Sequence, residues 1–289
     1  MGLRLKFNLV LLAVFLLGLI ISGSVSYELL HRNARDEVVR SAGVMMEAAL
    51  AMRAYTVGQV RPNLRVSEEE FLPQSVPAFS AGEIMNLLRK KYPDYAYKEA
   101  TLNPTNPRDR AVEWEADIVN SFRNTPQTEI SGTRMTPTGP SLYLARPLQI
   151  KDPACLACHT TAEAAPASMV RIYGPNNGFG WKMNEVIGAQ VVSVPMSIPV
   201  ENANRAFYTF MASLTGVFVV LFIILNIMLS FLIVRPITRL SDAADKISTG
   251  IMDIPEFAEK GRDEVSLLGR SFNRMRRSLE KAIALIDEK

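Results

Sequence analysis

Two long apolar runs set the terms for everything else this chain can form. Phe7 to Tyr27 carries no charge between Lys6 and Glu28, and Ala206 to Val234 carries none between Arg205 and Arg235. A helix needs about 20 apolar residues to cross a hydrocarbon core, so both runs qualify as spans. The second is longer than required and contains Asn226, which points to tilt or to continuation past the interface. A cleaved signal peptide is the competing reading of the first run, with Ser22-Gly23-Ser24 as a weak cleavage site. The second run and the helix-forming continuation from Glu28 favour retention, giving a hairpin of two spans. A buried core helix is the alternative for the second run, and its length argues against that.

Charge supplies the orientation. Arg4 and Lys6 before the first run, and Arg235 and Arg239 after the second, place both ends in the cytoplasm, although His31, Arg32 and Arg35 weigh mildly the other way. The balance of 32 basic and 29 acidic residues, a net charge of +3, gives no electrostatic case for nucleic acid.

The only two cysteines stand three apart with a histidine directly after them, Cys155-Leu156-Ala157-Cys158-His159. This is the spacing of c-type haem attachment: two thiols add to the vinyl groups, and the histidine binds iron from the proximal side. A thioredoxin-like C-x-x-C pair would need a strand leading into it, and Lys151-Asp152-Pro153 reads as a loop. A structural zinc site would need more ligands than two cysteines and one histidine, and the other histidine, His31, follows the first span. Bacterial haem c is attached outside the cytoplasmic membrane, so the motif makes residues 28–205 periplasmic. One covalent haem c is therefore expected, on Cys155 and Cys158, with His159 on the iron.

The sixth ligand is open at this level. Both thiols are consumed, and methionine is the natural candidate. A helix over about 36–60 offers Met45, Met46 and Met52; Met45 and Met52 share a face, and Met46 points about 100° away. Met52 is the first choice, Met46 and Met45 the alternatives, each of which also reads as core filler. Tyr55, Met135 and Met169 are outside candidates, as is an open sixth position. Arg53 and Arg146 are candidate partners for the haem propionates, with a structural arginine as the plainer reading of Arg146.

Between the spans the pattern is mixed. A helix continues from Glu28 to about Val60 and breaks at Arg61-Pro62, and a polar stretch covers Glu68 to Pro77. An amphipathic helix follows at Ala81 to Lys91, a strand at Tyr92 to Leu102, a turn at Asn103 to Pro107 and a helix at Val112 to Asn124. Short strands at 128–135 and 141–149 flank a Pro137-Thr138-Gly139-Pro140 turn, and Val186 to Pro195 is a strongly apolar closing strand. The fold class is α+β.

Several strings together resemble a bacterial family of transmembrane sensors with a periplasmic, single-haem c-type, PAS-like domain, a family formerly of unknown function. They are Tyr97-Lys98-Glu99-Ala100-Thr101-Leu102-Asn103-Pro104-Thr105-Asn106-Pro107, Trp114-Glu115, Tyr143-Leu144-Ala145-Arg146-Pro147, the Cys155–His159 motif and Gly178-Phe179-Gly180-Trp181-Lys182. The resemblance covers about residues 36–197. It implies a PAS-like sheet, His159 as proximal ligand and a role in sensing redox state or a small gas. The best-known branch takes its distal ligand from a cysteine of the N-terminal helix, and this chain has none there.

Beyond Arg235-Pro236, Ile237, Leu240, Ala244 and Ile247 form one apolar stripe, and Val265, Leu268, Phe272, Met275, Leu279 and Ile283 form another. With Pro236 just past the span and Asp263-Glu264 opening the second helix, this resembles a HAMP domain. The resemblance implies a parallel four-helix coiled coil between two copies, hence a homodimer; a surface-lying amphipathic tail is the alternative. The expected layout is a cytoplasmic N-terminus at 1–6, spans at 7–27 and 206–234, the periplasmic haem domain at 28–205 and HAMP at 235–289. The sequence stops at Lys289, so the signalling effector is expected to be a separate polypeptide.

Two functions fit these parts. One is a sensor in the bacterial inner membrane that reads haem redox state or a gas ligand and passes it through HAMP. The other is a membrane-anchored electron-transfer cytochrome, which has no need of a cytoplasmic coupler. Catalysis would require a distal acid–base group that the sequence does not offer, so no enzymatic activity is expected.

Overall fold

The computed structural model describes residues 2–64, 71–257 and 261–287; the start of the polar stretch, Glu68 to Glu70, lies outside them. Contacts divide the chain into a sheet unit, Tyr27–Ala206, and a helical unit, Met1–Ser26 with Phe207–Lys289.

Helix α1 runs unbroken from Leu3 to Tyr55, a stretch without proline. Past Tyr55 it widens into a π turn at Thr56–Val60 and tightens into a 3₁₀ turn at Arg61–Asn63, where Pro62 ends it. Within the sheet unit α1 buries a stripe of Val38, Ala42, Met46 and Ala49, spaced four, four and three residues. The two alanines let the helix lie close to its partner surface, and Met46 fills the space between them at 0 % exposure. α2 (Pro77–Arg89) follows, opened by a proline at its first position, where the lost N–H costs nothing. Next come β1 (Ala96–Thr101), α3 (Glu113–Asn124), β2 (Ile130–Thr136) and β3 (Gly139–Gln149). A one-turn helix α4 (Leu156–His159), a short α5 (Ala167–Tyr173) and β4 (Val186–Pro195) complete the unit.

The four strands form one antiparallel sheet in the order β1-β4-β3-β2, an α+β arrangement with helices on both faces. Alternation along the strands assigns the faces. Tyr97, Leu142, Leu144, Val192 and Val194 point at α1 and at Ala81 and Met85 of α2. Ala100, Ala145, Ala189 and Val191 point the other way, against Ile118, Val119 and Phe122 of α3. β4 is covered on both sides, which is why its sequence reads as an apolar run rather than an alternating one.

Two helical runs, Leu3–Asn63 and Ser197–Ser248, each contain a stretch long and apolar enough to cross a membrane. In the helical unit α6 (Ser197–Met228) touches the first part of α1. Phe218 stacks on Phe15 at 4.8 Å, Met211 lies against Gly23, and Arg4 donates to Ser230 Oγ at 2.8 Å. Partner numbers fall along one helix as they rise along the other, so the pair is antiparallel. Asn226 returns its amide to the Phe222 carbonyl at 3.0 Å, satisfying it within its own helix.

A π turn at Leu229–Val234 leads to α7 (Arg235–Ser248), and α8 (Glu264–Asp287) follows a connector. Asp263 caps α8 by accepting from the Ser266 N–H at 2.7 Å. The apolar stripe expected on α8 is present but outward: Leu268, Met275, Leu279 and Ile283 are exposed. What α8 buries instead is polar. Asn273 donates to the Phe257 carbonyl at 2.9 Å and accepts from the Phe257 N–H at 3.1 Å, and Arg276 donates to the Ile254 carbonyl, so the connector is hydrogen-bonded to α8. On α7 the buried residues are Leu240, Ala243 and Ile247, while Ala244, expected in that stripe, lines an open groove with Met252 and Met275.

Replacing Met46 by alanine should cost about 2–5 kcal/mol, because a fully enclosed side chain leaves a cavity between two alanines that cannot move in to fill it. A thermal melt of the purified chain checks this, and a fall in midpoint no larger than that of an exposed control such as Met135→Ala would contradict it.

Candidate functional site

The Cys155–His159 motif sits on a turn that its own sequence shapes. Asp152 accepts from the Ala154 N–H at 2.9 Å, and Pro153 starts a 3₁₀ turn that runs into α4. One helical turn separates Cys155 from Cys158, so the two sulfurs lie on one side. Both are free thiols, and burial holds both above the ordinary thiol pKa. Asp152 adds to that rise at Cys155, whereas Arg53 and Arg61 oppose it there, and Arg61 does so at Cys158.

His159 is held on three sides. Its Nδ1 lies 2.7 Å from the Gly178 carbonyl oxygen and 3.3 Å from Thr105 Oγ1, and the Trp181 ring stacks on the imidazole at 3.8 Å and 15°. A carbonyl can only accept, so Nδ1 carries the proton and Nε2 the lone pair, which has no hydrogen-bond partner among the described residues. Burial pushes the imidazole pKa below its ordinary value, with the Gly178 bond pulling the other way. A neutral ring with one nitrogen held and the other bare is the form that binds a metal.

The holder is itself clamped. Asn103 donates to the Phe179 carbonyl at 3.2 Å and accepts from the Gly178 N–H at 3.2 Å. Gly180 N–H donates to the Thr160 carbonyl at 2.9 Å, and Trp181 N–H to the His159 carbonyl at 3.2 Å. Gly178 has φ +83°, and a Cβ there would fall 2.7 Å from the Thr105 Cα. Only glycine fits this position.

From α1, Arg53 reaches across to β1. Its Nη1 pairs with both oxygens of Glu99 at 2.6 and 2.5 Å; Tyr97 Oη donates to Glu99 at 2.8 Å, and Gln190 donates to Tyr97 Oη at 3.3 Å. Burial alone would lower the Arg53 pKa, but Glu99, with Tyr97 and Cys155 behind it, raises it. Tyr97 is raised by burial and by Glu99. Arg146 has a different role: it bridges Glu47 at 2.7 Å and Glu129 at 2.9 Å, tying β3 to α1. Of the methionines, Met46 is enclosed in the apolar core, while Met45 and Met52 are half-buried at its edge. Met169 is buried, and Tyr55 and Met135 are exposed.

The donor set suits the haem c that the motif predicts: two thiols on one side of a turn, an imidazole nitrogen left bare beside them, and cations close by. Two contributors escaped the sequence. The sequence marks Arg61 only as the start of a helix break, although the π and 3₁₀ turns after α1 bring it, with Arg53, near Cys155. The carbonyl of Gly178 has no side-chain signature at all.

The Tll0287-like family profile matches residues 31–195. The chain belongs to the Tll0287-like family. A HAMP domain matches residues 228–281, so a Tll0287-like domain is followed by HAMP in one chain. The crystal structure of the cyanobacterial haem-protein Tll0287 aligns with 55 % of this chain and 95 % of its own, at 17 % identity and a TM-score of 0.43. No curated protein matches the chain. Within this Tll0287-like domain lie all the residues of the clamp around His159.

Gly178→Ala should destabilise the protein by roughly 2 kcal/mol or more, since it adds both a strained φ and a steric clash. Gly180→Ala, at φ +80° with nothing within 4 Å of a new Cβ, bears the strain alone and should cost less. Denaturation midpoints of the two variants decide it; equal losses would show that the contact with Thr105 is unimportant.

Proposed function

We propose that this protein is a membrane-bound haem c sensor that reads redox state or a small gas ligand outside the cytoplasmic membrane and passes the reading through HAMP to a downstream effector. The observation that carries it is His159, neutral, with Nδ1 tied to Gly178 and Nε2 bare, beside two free thiols in a chain that also matches HAMP. In the proposed layout, residues 7–27 and 206–234 span the inner membrane, 28–205 are periplasmic, and 1–6 and 235–289 are cytoplasmic.

A haem bound here supplies a one-electron couple and an iron whose coordination can change. The chain's own residues do the rest. Cys155 and Cys158 would hold the haem, each S–H adding across a vinyl double bond so that nothing leaves, and His159 would offer Nε2 to its iron. Gly178 and Trp181 fix the plane of His159. Arg53 is the proposed partner for a propionate, and Arg61 adds positive charge near the two sulfurs. Met52, next to Arg53, is the distal candidate, with Met45 behind it; Met46 is packed among aliphatic side chains. Arg53 stands on α1, which continues without a break to Leu3, so a charge change near the cysteines reaches the helix through the Arg53–Glu99 pair.

The HAMP match supports this reading over an electron carrier, which has no use for a cytoplasmic coupler. The outward stripe of Leu268, Met275, Leu279 and Ile283 supports a homodimer, because an exposed apolar seam at this spacing is what a second copy covers.

The purified full chain should keep its haem through denaturation, and Cys158→Ala should weaken that retention. Met52→Ala should remove the red-end band of the ferric spectrum that reports sulfur ligation, whereas Met45→Ala should leave it; haem lost from the native chain on denaturation would sink the reading. Spin labels on α7 and α8 of the reconstituted protein should change separation between oxidised and reduced states. Distances that ignore redox state, CO and NO would leave a haem protein without a sensor.

A further inference from the structure

The sheet face opposite α1 is only half covered. α3 packs over Ala100, Ala145 and Ala189, and the rest of that face, bounded by α2 and the start of α3, opens into a cavity of about 320 Å³. Its floor is Val191 and Ser193 of β4, and its walls carry charge from α2, β1, α3, β2 and the connection after β1.

Most of that charge is already balanced. Lys98 pairs with Glu115 at 2.7 Å, Arg108 pairs with Glu83 and lies 3.7 Å from Asp109, and Glu99 is held from the far side by Arg53. Burial pushes the Asp109 carboxyl up to about 6, against the pull of Arg108. Two guanidinium groups are left over. Arg134, on β2, lies over the Trp114 ring with its Cζ 4.2 Å from the ring centre, and Arg89 stands in the last turn of α2. Both line the cavity, and among the described residues neither has a carboxylate within ion-pairing distance.

A guanidinium stacked on an indole is fixed in plane while its N–H edge stays free, a fork shaped for a bidentate oxyanion. Small-molecule sites typically begin at about 300 Å³ and place a few directed polar groups in a concave wall. We propose that this cavity is a second binding site, for a small solute bearing a carboxylate, with Arg134 as the anchoring fork and Arg89 as a further cation. The site does not depend on haem. It does share a loop with the His159 clamp: Asn103 and Thr105 hold Gly178 and His159, and Arg108 and Asp109 of the same connection face the cavity. A bound solute therefore presses on the segment that orients His159.

The test is calorimetric titration of the detergent-solubilised full chain with acetate, succinate and benzoate, with sodium sulfate as the control anion. At least one carboxylate should bind saturably. Arg134→Gln should weaken it by about tenfold or more, the loss of one charge-assisted pair. Ser193→Leu, which fills the floor without touching a charge, should weaken it too, and Arg89→Gln should do so to a smaller extent. Melting curves establish that each variant is folded. Absence of saturable binding at millimolar carboxylate overturns the proposal, as does affinity unchanged in both Arg134→Gln and Ser193→Leu. Sulfate bound as tightly as any carboxylate overturns the assignment of the ligand class. Cys158→Ala, which disturbs the haem reading, should leave carboxylate binding intact, so the two failures are distinguishable.

Discussion

An imidazole can offer one nitrogen to a metal in a fixed direction only when the other is restrained, and here the restraint is the backbone carbonyl of Gly178 at 2.7 Å. That one bond sets the tautomer and steadies the ring plane of His159, while burial, against the pull of the same bond, keeps the imidazole neutral. It exists because Gly178 can adopt φ +83° against Thr105, and because Asn103 holds the peptide groups on either side of that carbonyl. Three segments far apart in sequence, at 103–105, 155–160 and 177–181, are thereby locked into one object. Separately, Arg53 of α1 pairs with Glu99 of β1, which Tyr97 and Gln190 support, so a charge pair joins the long helix to the sheet.

What the sequence disclosed, and what it hid, follows from which interactions leave a periodic trace. β4 was expected at Val186 to Pro195 and is found there, since burial on both faces writes an unbroken apolar run. α3 shows its face through Trp114, Ile118 and Phe122, and begins one residue later than expected. The strand expected at Tyr92 to Leu102 begins only at Ala96, because the residues before it form a turn after α2. α5 was not anticipated: seven residues carry too little pattern, and its anchoring comes from outside, through the Phe71 N–H on Ser168 and the Phe71 ring on Tyr173. The Cys155–His159 motif was plain because covalent attachment fixes a spacing. Its orienting carbonyl was not, since a backbone group has no letter of its own.

The HAMP tail teaches the same lesson in reverse. Its apolar stripes were legible, yet within one chain they are largely outward, and the contacts that organise α8 are those of Asn273 and Arg276 with the connector. Polar side chains that bond backbone at long range carry no period, so only the structure reveals that they fix the connector on α8. The match of a HAMP domain at residues 228–281 gives this tail its family, and the exposed seam gives it a reason to associate.

The chain has two tryptophans, and each has landed in a different place of interest. Trp181 lies face to face with His159, and Trp114 lies beneath Arg134 at the cavity wall. Indole emission is sensitive to an adjacent imidazole, to a stacked cation and to any nearby chromophore that absorbs in the same range. With one fluorophore at each location, a pair of single-tryptophan variants turns the native protein into its own optical gauge, with no dye attached and each channel assigned in advance.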